Sequence, residues 1–174
     1  MGLGELLAER KDAVLGRWVE GILATYPGKA ASLFHGQKDP FANPVGHGIR
    51  TGTLGTLDAL LAGDDVAGVR AALRDVVSIR AVQQFPPSVS VGFVLGLKGA
   101  IRAELAAELG APALEREMVA FEARIDGAAL AAFDLFVECR EQVSELRINE
   151  VKRRVAWVVE RAERVEPAER EEAR

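Results

Sequence analysis

The sequence predicts an all-α fold, a helical bundle with a long C-terminal helix, and three observations predict it. Hydrophobic residues make up 49% of the 174 but aromatics only 6%, so the core is built mostly from Leu, Val and Ala. Together with Glu and Arg, Leu and Ala are among the best helix formers. Apolar positions recur three and four apart along most of the chain, the period of one helix face. Finally, Pro27-Gly28, Asn43-Pro44, Gly63, Pro86-Pro87 and Gly110 to Pro112 stand between these stretches as stops and starts.

The elements follow in order. Residues 3–26 place Leu15, Trp18, Val19, Ile22 and Tyr26 on one face, giving an amphipathic helix stopped at Pro27-Gly28. Residues 28–43 form a connector, with room for one helical turn around 30–34. The second helix runs from Pro44 to Gly63. Asn43 is a favoured N-cap and Pro44 suits the first helical position, so Phe41, Asn43, Pro44 and Gly46 form a helix-start motif. Its core stripe is Ile49, Thr53, Leu57 and Leu60. Gly48 and Gly52, one turn apart, predict close approach by another helix, since each costs roughly 1 kcal/mol against Ala.

Asp64 or Asp65 caps a third helix whose inward residues are Val69, Leu73, Val76 and Val77. Arg80 and Gln83 continue that side, which makes them candidate buried polar or sensing residues. The plainer reading has them hydrogen-bonded to carboxylates or helix ends. A fourth helix, 87–109, buries Phe93, Leu97, Ile101 and Leu105. Its Gly92 and Gly96 repeat the one-turn spacing, so 44–62 and 87–109 are expected to be close-packed partners.

From Ala113 to about Val165 the pattern is helical without a strong stop. Phe121, Ile125, Ala128, Ala132, Phe136 and Cys139 share an inward face, which Leu130, Phe133 and Val137 are expected to widen. Gly127 is a point where the helix can bend. Beyond Glu141 the apolar positions narrow to Ile148, Val151, Val155, Val158, Ala162 and Val165, a short heptad seam. A single rod of this length would be roughly 75 Å long at ~1.5 Å per residue, so its end is expected to project or to fold back after a break near 140–145. The charged residues from 166 are expected to fray. The domain reading is therefore 1–140 helical sensor domain, 141–165 linker or dimerisation helix, and 166–174 disordered tail.

Little points to chemistry. The two histidines, His35 and His47, with Asp39, do not make a closed metal set. No nucleophile is paired with a base, and the helix-interior glycines do not form a phosphate loop. Cys139 reads as a small core hydrophobe and, being the only cysteine, excludes an intrachain disulfide, as suits a reducing cytoplasm. The N-terminus has no signal-peptide pattern, and the longest apolar run, 89–97, is far shorter than the ~20 residues of a membrane span. A net charge of −4 does not suggest nucleic-acid binding. The expectation is a soluble, cytoplasmic, non-enzymatic protein without metal or cofactor. Trp157, off the seam among arginines, joins Ile148, Val151, Val155, Val158 and Ala162 as a candidate interface residue. The arginines at 147, 154 and 161 give poor charge complementarity for an isolated two-stranded coil, which favours a multi-helix dimer interface.

The pairing of FANPVGHGIR (41–50) with IRAVQQFPPSVSVGFVLGLKGAIR (79–102) resembles the N-terminal sensor domain of RsbRD-type RsbT co-antagonist proteins. ATYPGKAASLF (24–34) fits the family's connector, and the resemblance covers roughly residues 3–140. Pro86 departs from the pattern, where a capping Ser or Thr is usual, as do the glycines at 92, 96 and 99. The resemblance implies an all-α, globin-related domain that dimerises without haem and relays a stimulus through a C-terminal linker helix, which 141–165 would match. In that family a STAS domain usually follows. This chain ends where it would begin, so a stand-alone sensory or adaptor version with an unknown signalling partner is expected. Two alternatives stay open. One is a globin-like binder of haem, with His47 as the weak ligand candidate, or of another hydrophobic molecule. The other is an accessory protein docking on a redox complex.

Overall fold

A computed structural model describes residues 1–28, 41–63, 65–83 and 85–172, with side chains as far as Arg161. The connector's helical turn at 30–34, His35, Asp39 and Asp64 lie outside the described residues. Among the described residues there are six helices and no strand: α1 Leu3–Glu9, α2 Lys11–Leu23, α3 Pro44–Ala62, α4 Val66–Ala81, α5 Pro87–Glu104 and α6 Pro112–Glu172. The chain divides into two units, Met1–Val137 and Glu138–Arg174.

The first unit holds the core. Residues 3–26 form two helices rather than the expected one, because Arg10 leaves helical geometry at φ −98°, ψ 15°. A one-residue interruption leaves the 3–4 spacing intact, so periodicity cannot reveal it. α3 starts as the sequence dictates: the Asn43 Oδ1 accepts from the Gly46 N–H at 2.8 Å, with Pro44 next in line. Its end is set by Gly63, whose φ of +82° is disfavoured for side-chain-bearing residues. Asp65 caps α4 by accepting from the Gly68 N–H at 2.9 Å.

The close-approach glycines are real, but their partner is not the expected one. Gly48 and Gly52 face Ile79 and Val76 of α4; a Cβ at Gly48 would lie 2.7 Å from Ile79 Cδ1, and one at Gly52 would run into Val76. α3 packs chiefly on α4, and α5 chiefly on α2. Glycine spacing announces that a helix comes close without saying which helix it is. Burial of Leu7, Ile22, Ile49, Leu73, Leu97 and Ile101, each almost fully removed from solvent, supplies ~1.5–3 kcal/mol per side chain.

α5 ends at Glu104, five residues before the expected stop, and 105–109 continue as turns. Pro112 is the first residue of α6, the position proline favours, rather than only the terminator of α5. Within unit 1, Phe121, Ile125, Ala128, Ala132 and Phe136 are buried, but the expected widening fails: Leu130 is 70% and Phe133 50% exposed, and Val137 is exposed as well. A helix apolar on two sides does not declare which side its own domain covers. Cys139, in the second unit, is half-buried rather than a core residue.

α6 passes through Gly127 and through 140–145 without interruption, so of the two expected alternatives the one with a break near 140–145 does not occur. It stays helical to Glu172, into the stretch expected to fray. In the second unit every described side chain from Ser144 to Arg161 is exposed.

Candidate functional site

Arg80 is the most unusual residue of the first unit. It lies in the last turn of α4, placed inward by the same spacing that buries Val76 and Val77, and it is 0% exposed. Its Nε donates to the Ser90 carbonyl at 3.3 Å, and its Nη2 donates to the Val89 carbonyl at 2.9 Å and to Thr25 Oγ1 at 3.1 Å. No carboxylate pairs with it among the described residues. Three aromatic rings stand around the guanidinium instead, with centroids 5.4 Å (Tyr26), 5.0 Å (Phe85) and 5.7 Å (Phe93) from Cζ. The faces of such rings are negative and attract a cation. Burial pulls the guanidinium below its ordinary value, and Tyr26 opposes that. Nη1 and the Ser90 hydroxyl are buried without a hydrogen-bond partner.

Gln83 joins the same cluster, its Oε1 accepting from the Tyr26 hydroxyl at 2.9 Å; the Tyr26 ring meets Phe85 edge-on at 5.2 Å. The two sequence candidates are thus brought together through a tyrosine that periodicity had marked only as a helix-face residue. Thr25, Phe85 and Ser90 carry no such mark. Phe85 and Ser90 reach Arg80 because Pro86 and Pro87 end one segment and start α5 beside it, and Thr25 because it closely follows the end of α2. The arginine therefore ties the end of α2, the end of α4 and the first turn of α5 into one node.

Next to this node, α2 and α5 leave a groove of about 440 Å³, lined by Trp18, Ile22, Thr25, Val89, Phe93 and the glycines 21, 92, 96 and 99. The buried Trp18 indole donates to the Phe93 carbonyl at 2.6 Å and stacks on the Phe93 ring. Arg17 lies on the groove's lining, and its Nε donates to Glu104 at 2.8 Å. That hydrogen bond, helped by Arg10, holds the Glu104 carboxyl below its ordinary range. Arg102 does the same for Glu122, donating from Nε at 2.6 Å and from Nη2 at 3.0 Å.

The remaining candidates lie apart from Arg80. Asn43 and Gly46 are buried at the α3 start, whereas Phe41 is 96% exposed. His47 is exposed, its Nε2 3.5 Å from Thr51 Oγ1, and it does not line the groove between α2 and α5. Ile148, Val151, Val155, Trp157 and Val158 are each more than half exposed in the second unit. The side chain of Ala162 lies outside the described residues. No group of His, Cys, Asp and Glu among the described residues could hold a metal ion.

The family profile of the RsbT co-antagonist protein rsbRD N-terminal domain matches residues 12–151. The chain belongs to this family. The match takes in α3, α4 and α5 whole, and with them the Asn43 cap, the Arg80 node and the groove. It also runs into the second unit as far as the start of the valine seam. Neither a curated protein nor a solved structure matches the chain. Membership of the rsbRD N-terminal family makes this a signalling-related sensor domain of a regulatory kind. No described helix is long and apolar enough to cross a membrane.

Proposed function

We propose that the chain is a non-catalytic sensory or adaptor domain of the rsbRD type, which pairs with a second copy and relays a change through the C-terminal part of α6. Family membership over 12–151 is the observation that carries this reading. It is supported by the exposed, heptad-spaced Ile148, Val151, Val155 and Val158, a pattern that water disfavours and a partner helix covers. A cytoplasmic location and a role in stress signalling complete the reading.

Native mass spectrometry tests it. The untagged protein is expected at the mass of two chains, and Val155→Asp at the mass of one with its helical circular dichroism kept. A wild-type mass of one chain refutes the pairing. Unfolding of Val155→Asp refutes an intermolecular seam, because it would place Val155 in the core of its own subunit. A second reading, capture of a small hydrophobic molecule, is favoured by the apolar groove floored by Trp18. In the same spectra it would show as added mass on the folded protein, and haem would show as a Soret band.

A further inference from the structure

The second unit presents more than the valine seam. At ~100° per residue, Trp157 lies about 140° round the helix from the midline of Ile148, Val151, Val155 and Val158, so a helix packed on that seam leaves it in solvent. It is 58% exposed. Arg153, Arg154 and Arg161 fall within about 60° of it on the same face. Arg161 lies over the indole, its Cζ 5.3 Å from the ring centroid. Glu150 shares this face but is already ion-paired with Arg154. Arg153 has no ion pair among the described residues. Between Leu146 and Arg161 five cations, at 147, 152, 153, 154 and 161, stand against Glu150 and Glu160, in a chain whose net charge is −4.

An aromatic ring rimmed by arginines is the composition of an interface centre: tryptophan gives large apolar area at little entropic cost, and arginine pairs with carboxylates in two-pronged geometry. Two other partner classes fit less well. A membrane surface takes a helix whose apolar residues share one side, and here the valines and Trp157 lie on different sides. A nucleic acid asks for a longer basic track with several stacking rings. From this geometry we infer that the face formed by Trp157, Arg153, Arg154 and Arg161 docks an acidic protein partner, separately from the seam that pairs two copies. This deepens the adaptor reading above, supplying the chemistry of its partner, and rests on it only in requiring that there be one.

The test is photo-crosslinking in cells that natively carry the protein, with benzoylphenylalanine at position 150, on the same face as Trp157. The expected result is one adduct with a different protein, crosslinked within a peptide rich in Asp and Glu. Its yield should fall at least tenfold in Trp157→Ala and in the Arg153→Glu/Arg154→Glu double variant. In Val155→Asp it should be unchanged. An adduct between two copies of this chain, an adduct with lipid or nucleic acid, no adduct, or one indifferent to charge reversal overturns the inference. Circular dichroism of each purified variant separates lost docking from lost helix, and the mass of Val155→Asp reports separately on pairing. Failure of the docking face and failure of the dimer are therefore distinguishable.

Discussion

Arg80 offers the sharpest test of what holds the first unit together. Taking a guanidinium out of water costs several kcal/mol even after relaxation. Three hydrogen bonds from a charged donor and three ring faces, the latter worth up to ~2 kcal/mol where desolvated, return a sum of similar size. The net contribution of the charge is therefore near zero. Removing it strands no acceptor completely. Val89 and Ser90 offer carbonyls inside α5, where helical N–H groups also reach them, and the Thr25 hydroxyl keeps its own bond to the Ile22 carbonyl at 2.6 Å. What a truncation does lose is volume at a site with no exposure. Arg80→Ala should thus destabilise by about 3 kcal/mol, as other buried long-to-Ala changes do. Arg80→Met refills the stem without the charge and should stay within about 1 kcal/mol of wild type. Urea unfolding followed by circular dichroism measures both. If Met costs as much as Ala to within about 0.5 kcal/mol, the polar contacts and not the packing sustain this corner, and the reasoning is wrong.

Other outcomes can be stated in advance. Asn43→Ala should cost about 1 kcal/mol by removing the bond to the Gly46 N–H, read as a fall of roughly 2–4 °C in melting temperature; an unchanged value refutes the cap. Gly52→Ala should destabilise, since its methyl meets Val76, with overpacking of about 1–3 kcal/mol exceeding a propensity gain of about 1. Gly99→Ala, whose methyl meets open space, should stabilise by up to about 1 kcal/mol; thermal melts giving both the same sign would contradict the geometry. Glu104 and Glu122 are held below the ordinary value of 4.5 in the folded state. Their contribution is therefore fully present above that pH and is lost as pH falls through the lower folded values. Glu104→Gln should lower the melting temperature at pH 7 and leave it little changed in acid, where the wild-type carboxyl is itself protonated, so that the acid limb flattens; an unaltered limb argues against the Arg17 pairing.

Much of the fold could be read from spacing alone. The α3 start was legible because Asn then Pro has a specific backbone meaning, and α4 because an aspartate precedes its valines. What stayed hidden was pairing. One-turn glycines at 48 and 52 signal a near neighbour, but Ile79 and Val76 belong to the next helix in the chain, not to the glycine-matched one. Leu130 and Phe133 read as core because hydrophobicity is intrinsic to a residue while coverage is not. The candidate node was half legible. Arg80 and Gln83 stand out as polar residues on an apolar face and Tyr26 falls on the inward face of its helix, but Thr25 and Phe85 come from loop ends whose direction no periodicity encodes.

The two tryptophans give this molecule a pair of built-in lamps. Trp18 sits dry against Phe93 in the first unit and should emit towards the blue, whereas the wet Trp157 of the second should emit towards the red and yield readily to iodide. Loosening of either unit can accordingly be followed in the unlabelled protein, each by its own colour.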